Sequence, residues 1–221
     1  MSIHQLVIAV SASLFFNHFY FFGQLRIVAT WNSKPLELQR VYLTKNKDSI
    51  SFSTLKMYFS DFRFTEKNSG NTINIDTLIF YDLADSSTHA FFKELEMSNY
   101  DAVSFTLGLD SSKNVSGELE NAYDPLLGMY WAWNTGYVNL KLAGKSSLVL
   151  TKTHDFEFHL GGYRFPYATA QQVQVNLNDK IIHFELSLLL SDVISLKKTH
   201  HLMLPGKEAF LISQGLPACF N

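Results

Sequence analysis

Short runs in which apolar and polar residues alternate dominate the chain from residue 25 onward. In the segment 155–160, for example, Phe156 and Phe158 fall on one face of an extended chain, and Asp155, Glu157 and His159 fall on the other. A period of two is typical of a β-strand with one face in a core. Ten or more such segments are separated by turn residues, without strand-helix alternation, and this pattern predicts an antiparallel β-sandwich.

Only the C-terminal region has a helical pattern. Pro205 and Gly206 precede the segment 207–214, and Gly215 and Pro217 follow it as stop signals. The sequence therefore predicts an all-β domain with one short C-terminal helix.

Two strand segments carry more specific predictions. Leu55, Met57 and Phe59 share one parity, whereas Phe62 and Phe64 have the other, so a β-bulge is expected at residues 60–61. The segments 173–177 and 181–190 flank the turn residues Asn178 and Asp179, and this spacing predicts a β-hairpin.

The densest group of large side chains lies in GMYWAWNTGYVNLKL, residues 128–142. If this stretch is one strand, Met129, Trp131 and Trp133 share a face, and we expect the strand to be central in the sheet and buried on at least one side. A polar, turn-rich loop at residues 111–127 leads into it. Long irregular loops in compact domains are often functional.

Composition limits the classes of function. Hydrophobic residues make up 47% of the 221 residues and charged residues 17%, which is the balance of a packed globular domain. A net charge of −2 gives no basic surface, so no nucleic-acid partner is expected. Cys219 is the single cysteine and cannot form an internal disulfide. No catalytic triad, phosphate-binding glycine loop or paired-cysteine metal motif is present, so an enzyme is not expected.

The first 23 residues form a separate segment. No Asp, Glu, Lys or Arg occurs between Leu6 and Gly23, and the segment is similar to a secretory signal peptide that ends near Gly23. An uncleaved membrane anchor is the competing interpretation, but polar residues interrupt the run, and a span normally needs about 20 apolar residues. We expect an exported protein of the periplasm or cell surface, with residues 24–221 as one domain and no stable membrane span after cleavage.

His159 is the main candidate ligand, because an imidazole at a strand end beside Gly161 and Gly162 suits a metal such as copper. A hydrogen-bonded histidine without a metal is the alternative, as it is for His89, His154 and His183. His200 and His201 are adjacent and would point to opposite faces of a strand. Oxygen donors in the loop at Asp110, Asn114 and Asp124 fit turn capping better than a calcium loop.

Five segments, in this order, carry a family resemblance: LKMYFSDFRF (55–64), SFTLGLDSSKN (104–114), DPLLGMYWAWNTGYVNLKL (124–142), FEFHLGG (156–162) and LPGKEA (204–209). Together they resemble the MbnP-like family of exported proteins, whose site is related to that of MopE and CorA. The resemblance implies a copper(I) site built from two histidines and a tryptophan oxidised to kynurenine by a partner dihaem enzyme of the MbnH type.

Matched to those segments, the resemblance implies His159 as a copper ligand and either Trp131 or Trp133 as the oxidised residue. The chain departs from the family at Val115, because metal-binding relatives have a histidine after the asparagine that corresponds to Asn114. Two functions remain open: copper handling in the cell envelope, or a metal-free envelope module that uses its aromatic strand and long loop for recognition. An exposed Trp131 or Trp133 would also permit a sugar-stacking surface.

Overall fold

A computed structural model describes residues 24–134 and 136–221. The predicted signal peptide lies outside the described residues. The strands are β1 (Leu25–Trp31), β2 (Lys34–Pro35), β3 (Tyr42–Leu43), β4 (Ser49–Glu66), β5 (Thr72–Asp82), β6 (Ala90–Phe91), β7 (Tyr100–Leu107), β8 (Tyr130–Trp131), β9 (Gly136–Ser146), β10 (Asp155–Gly161), β11 (Gln171–Asn176), β12 (Ile181–Glu185) and β13 (His201–Leu202). The α-helices are α1 (Ser111–Asn114), α2 (Leu186–Leu188) and α3 (Lys207–Gly215).

Two sheets face each other across one apolar core. Within the described residues, the smaller sheet has the order β12-β1-β2 with β6 beside β1, and the larger sheet has the order β11-β7-β4-β9-β10-β13. Buried residues of both sheets, such as Ile27 and Phe184 from the smaller and Phe59 and Phe158 from the larger, form one core cluster. The predicted β-sandwich is confirmed. Most pairs are antiparallel, but β1–β12 and β10–β13 are parallel.

Strand β4 is the axis of the larger sheet. It pairs with β5 on one side, and on the other side it pairs first with β9 and then with β7. The predicted bulge is confirmed, because the register with β5 shifts between Ser60 and Phe62, and Asp61 adopts a left-handed φ of 54°. This extra residue lets Phe59 and Phe62 both reach the core.

The predicted hairpin at residues 173–190 is wrong. Strand β11 pairs with β7 in the larger sheet, whereas β12 pairs in parallel with β1 in the smaller sheet. Val173 and Val175 enter the core from one sheet and Ile182 and Phe184 from the other. Asn178 and Asp179 therefore lie in a crossover between the two layers, and two core-facing strands in sequence do not reveal whether they share a sheet.

The aromatic stretch is not one strand, and this prediction is also wrong. Tyr130 and Trp131 of β8 pair with Tyr137 and Gly136 of β9, so the chain reverses direction between them. The amide of Asn134 donates to the Trp131 carbonyl at 3.1 Å, which closes the turn. Strand β9 itself is central, as expected, because β4 and β10 flank it.

The C-terminal helix is confirmed, since α3 begins directly after Gly206 and ends at Gly215. Ala209 and Ile212 of α3 are buried in the main core. None of the helices in the described part of the chain is long and apolar enough to cross a membrane.

Candidate functional site

The outer face of the larger sheet carries a second apolar cluster. Successive residues of β4 point to opposite faces, so Met57 and Phe59 enter the main core while Tyr58 points outward. On the outer face Tyr58 packs with Trp131 and Tyr137 of the aromatic hairpin. The segment 108–134 contains the loop at residues 111–127 and the first strand of the hairpin. This segment therefore covers the outer side of the sheet.

Asn114 fastens the loop to β9. Its buried side-chain amide donates to the carbonyl oxygens of Leu109 and Asp110, at 3.0 Å each, and its Oδ1 accepts from the Tyr137 amide at 2.9 Å. The side chain thus satisfies three backbone groups in the loop and the strand. Asp110 accepts from the Lys113 amide and Asp124 from the Leu126 amide, each at 2.8 Å, so these two carboxylates cap turns as expected.

Two tyrosine hydroxyls form hydrogen bonds with backbone carbonyl groups of the loop. The Tyr58 hydroxyl donates to the Ala122 carbonyl at 2.7 Å, and the Tyr137 hydroxyl lies 3.0 Å from the Glu118 carbonyl and 2.9 Å from that of Tyr123. Burial raises the pKa of Tyr137 to about 12 and raises the pKa of Tyr58 as well. Both phenols are therefore neutral near pH 7 and available as donors to the loop.

His159 lies on β10, on the same outer face. Its side chain is 9% exposed, and Nε2 lies 2.8 Å from Oε1 of Glu157. Burial, with a smaller contribution from the charge of Lys141, lowers the pKa of His159 below its usual 6.5, although Glu157 opposes this shift. The imidazole is therefore neutral near pH 7. When Nε2–H donates to the carboxylate, the lone pair is on Nδ1, which is the tautomer control found at metal-ligating histidines.

Trp131 packs against β10, the strand that carries His159. Residues 159 and 161 are two positions apart and therefore share one face of β10. A Cβ added to Gly161 would lie 2.8 Å from Cζ3 of Trp131. The glycine therefore makes room for the indole ring, two residues along the strand from His159. Trp131 is 6% exposed, whereas Trp133 sits in the turn at 61% exposure, with the two indole centroids 5.6 Å apart.

The other candidate histidines are engaged elsewhere. His89 stacks on Tyr81 and bonds the Asp82 carbonyl, His154 bonds the Val149 carbonyl, and His183 belongs to β12 in the smaller sheet. Sequence reasoning considered His201 only as the neighbour of His200 and missed its position in the fold. Strand β13 pairs in parallel with β10 and sets His201 beside Glu157, on the face that carries His159. This pairing joins residues far apart in the chain, so no local pattern could have indicated it.

The side chains around Asn114 and His159 do not match the copper site that the resemblance implies. Val115 is 63% exposed and offers no donor atom. Lys113, on the other side of Asn114, is held by the carboxylates of Asp61 at 2.6 Å and Asp76 at 2.8 Å. Across residues 24–134 and 136–221, no group of three or more His, Cys, Asp or Glu side chains is arranged to hold a metal ion. One oriented imidazole beside an intact indole does not complete that site, because an indole offers only a donor N–H.

Known proteins resemble this chain in sequence pattern and in fold. The sequence model of the MbnP family matches residues 22–203, which is most of the chain. The solved structure of MbnP from Methylosinus trichosporium superposes with a TM-score of 0.53 at 13% sequence identity, covering 75% of this chain and 76% of that one. At this identity the structural likeness concerns the fold alone. No curated protein sequence matches significantly. On the extent of the family match, this chain belongs to the MbnP family.

Proposed function

We propose that this protein is an exported module of the cell envelope that binds a partner or ligand through the outer face of its larger sheet. In this proposal it is a binding protein rather than an enzyme. It keeps the histidine and tryptophan part of the copper site that the resemblance implies, and it lacks the imidazole that metal-binding relatives carry directly after the asparagine, since Val115 follows Asn114 here. Export is supported by the charge-free run that precedes the domain and by the exported character of the family it resembles.

The observation that carries the proposal is the composition of the loop beside Asn114. The hydrocarbon side chain of Val115 cannot bind a metal, and Lys113 is committed to two carboxylates. Recognition would then fall to the aromatic hairpin. Trp133 exposes most of its indole, which suits stacking against a planar or sugar ring, while Trp131 supports it from beneath.

Copper(I) handling is the second candidate, and the Glu157–His159 pair favours it. The Glu157 carboxylate holds Nε2 of the neutral imidazole, and this hydrogen bond leaves the Nδ1 lone pair available to bind a soft metal. In this alternative an MbnH-type dihaem enzyme oxidises a tryptophan to kynurenine, whose amine and carbonyl would supply donors that an indole lacks. Trp131 is the residue next to the strand of His159.

Titration of the purified protein with Cu(I), in competition with a chelator, separates the two candidates. The proposal predicts no tight binding by the wild type, and no change in His159→Ala. Val115→His restores an imidazole directly after Asn114, and tighter copper binding in this variant would support loss of the loop ligand. Tight copper binding by the wild type that disappears in His159→Ala would contradict the proposal and favour the second candidate.

A further inference from the structure

A cleft of about 400 Å³ lies away from the site described above. Four segments line it: the end of β1 at Trp31 and Asn32, the β3–β4 turn at residues 44–48, the β9–β10 connection at Leu148, and the segment 187–197 after β12. Trp31 belongs to the core between the sheets, whereas Trp131 belongs to the cluster on the outer face of the larger sheet. The cleft is therefore independent of the His159 face.

Apolar side chains form the inner wall of the cleft. Trp31, Leu148, Leu190 and Leu196 all line it, and each is buried or partly buried. Trp31 is fixed by Tyr42 and Phe52, whose ring centroids lie 5.7 and 5.6 Å from its own. A rigid wall of this kind suits the hydrocarbon part of a ligand.

Positive charge exceeds negative charge around that wall, and one buried donor in it is unpaired. Lys45 and Lys197 are exposed at the rim, and neither forms an ion pair among the described residues. Asp48 is the one acidic side chain in the lining. The Trp31 Nε1–H group is buried without a hydrogen-bond partner in the described part of the chain. An unpaired buried donor costs about 1–3 kcal/mol, so such groups normally need an explanation.

A π-helical turn shapes one side of the cleft. Residues Leu189–Val193 form the turn, which the Ile194 amide closes by donating to the Leu189 carbonyl at 2.8 Å. Leu190 and Ser191 of this turn line the cleft. Turns of this type are rare and are frequent at functional sites, because they widen a helix locally.

We propose that this cleft binds a small anionic amphiphile, namely a carboxylic acid with an alkyl or aryl body. The body packs against Trp31 and the leucines, and the carboxylate faces Lys45 and Lys197. A second depression continues from Asp48, Leu148, Leu196 and Lys197 toward the exposed Leu150 and the half-buried His200. It gives a hydrocarbon chain longer than the first cleft room to extend.

Calorimetric titration of the full mature chain with decanoate, and with decylamine as the cationic match, tests the proposal. Decanoate is expected to bind and decylamine is not. Lys45→Glu/Lys197→Glu is expected to weaken decanoate binding by about tenfold or more, because it reverses two charges at the rim. Lys67→Glu/Lys93→Glu changes the same charges at exposed sites outside the cleft lining and should leave affinity within about twofold.

Two further measurements locate the ligand. Ser191→Phe places a ring in the cleft and should abolish binding. Decanoate should also shift the indole N–H resonance of Trp31 in NMR spectra and leave those of Trp131 and Trp133 in place. If Ser191→Phe fails to fold, the rim variants and the NMR shift still decide the question.

Four results would overturn the proposal: no decanoate binding by the wild type, equal binding of decylamine, equal loss of affinity in the Lys67→Glu/Lys93→Glu control, or a shift confined to Trp131 and Trp133. Binding to anionic phospholipid vesicles without binding of free decanoate would likewise overturn it, because the occupant would then be a lipid surface.

Discussion

The two faces of β9 and β10 differ in what they contribute to the protein. On the inner face, Leu140, Leu142, Phe156 and Phe158 are all buried in the main core. On the outer face, the same strands carry Lys141 and Glu157 on either side of His159: Lys141 is its partner on β9, and Glu157 accepts its side-chain hydrogen bond. The inner face fixes the fold, and the outer face is free to vary in chemistry. Substitutions on the two faces should therefore differ in cost.

The largest effect is expected on the inner face. Phe158→Ala removes a fully buried ring and leaves a cavity, which typically costs about 3–5 kcal/mol of unfolding free energy. His159→Ala, on the next residue, removes a smaller group with one side-chain hydrogen bond and should cost about 1 kcal/mol. Urea unfolding of both variants measures the difference, and equal costs would mean that the two faces are not distinct.

The contact between the hairpin and β10 can be tested at Gly161. In Gly161→Ala the new Cβ meets the Trp131 ring at 2.8 Å and the Tyr137 carbonyl at 2.6 Å, so we expect a loss of about 1–3 kcal/mol and a change in tryptophan fluorescence. Combined with Trp131→Ala, the substitution should cost less, because the ring is gone. Full additivity of the two substitutions would show that the indole does not rest on this glycine.

The attachment of the loop depends on Asn114. Asn114→Ala leaves the buried backbone groups of Leu109, Asp110 and Tyr137 without their side-chain partner, and about 1–3 kcal/mol should be lost. Faster hydrogen exchange in the loop would accompany this loss. Asn71→Ala removes the same side chain at an exposed turn and serves as the control, with a change within about 0.5 kcal/mol. A similar result for both variants would contradict the role assigned to Asn114.

The smallest effect concerns pH. The folded-state pKa of His159 lies below 6.5, mainly through burial, so the unfolded chain binds a proton more readily than the folded chain does. Stability should therefore fall as the pH decreases below 6.5 toward the folded-state pKa, and His159→Gln should remove this part of the pH dependence. Unfolding free energies of the two proteins across that range test the sign. A wild type that gains stability relative to His159→Gln on acidification would contradict it.

Local patterns predicted the features that depend on neighbouring residues. The parity switch between Phe59 and Phe62 indicated the bulge, and the stop signals around Gly215 indicated the end of α3. Pairing between distant strands was not predictable in this way. Strand β12 joins the smaller sheet in parallel, although its sequence is typical of a hairpin partner of β11.

The candidate site also depends on strand pairing that local sequence patterns do not predict. The motif around His159 indicated its strand and its glycine neighbours, but the position of His201 depends on the pairing of β13 with β10. The alternation of Trp131 and Trp133 indicated one shared face, whereas the chain turns between Trp131 and Gly136, and this turn leaves the first indole buried and the second exposed. In a tight hairpin, turn chemistry outweighs side-chain periodicity.

Metal analysis and intact-mass spectrometry of protein isolated from its native envelope test the central claim most directly. The account predicts less than stoichiometric copper and unmodified tryptophans, with the chain beginning near Gln24 after export. One copper per chain together with a kynurenine at Trp131 would contradict it.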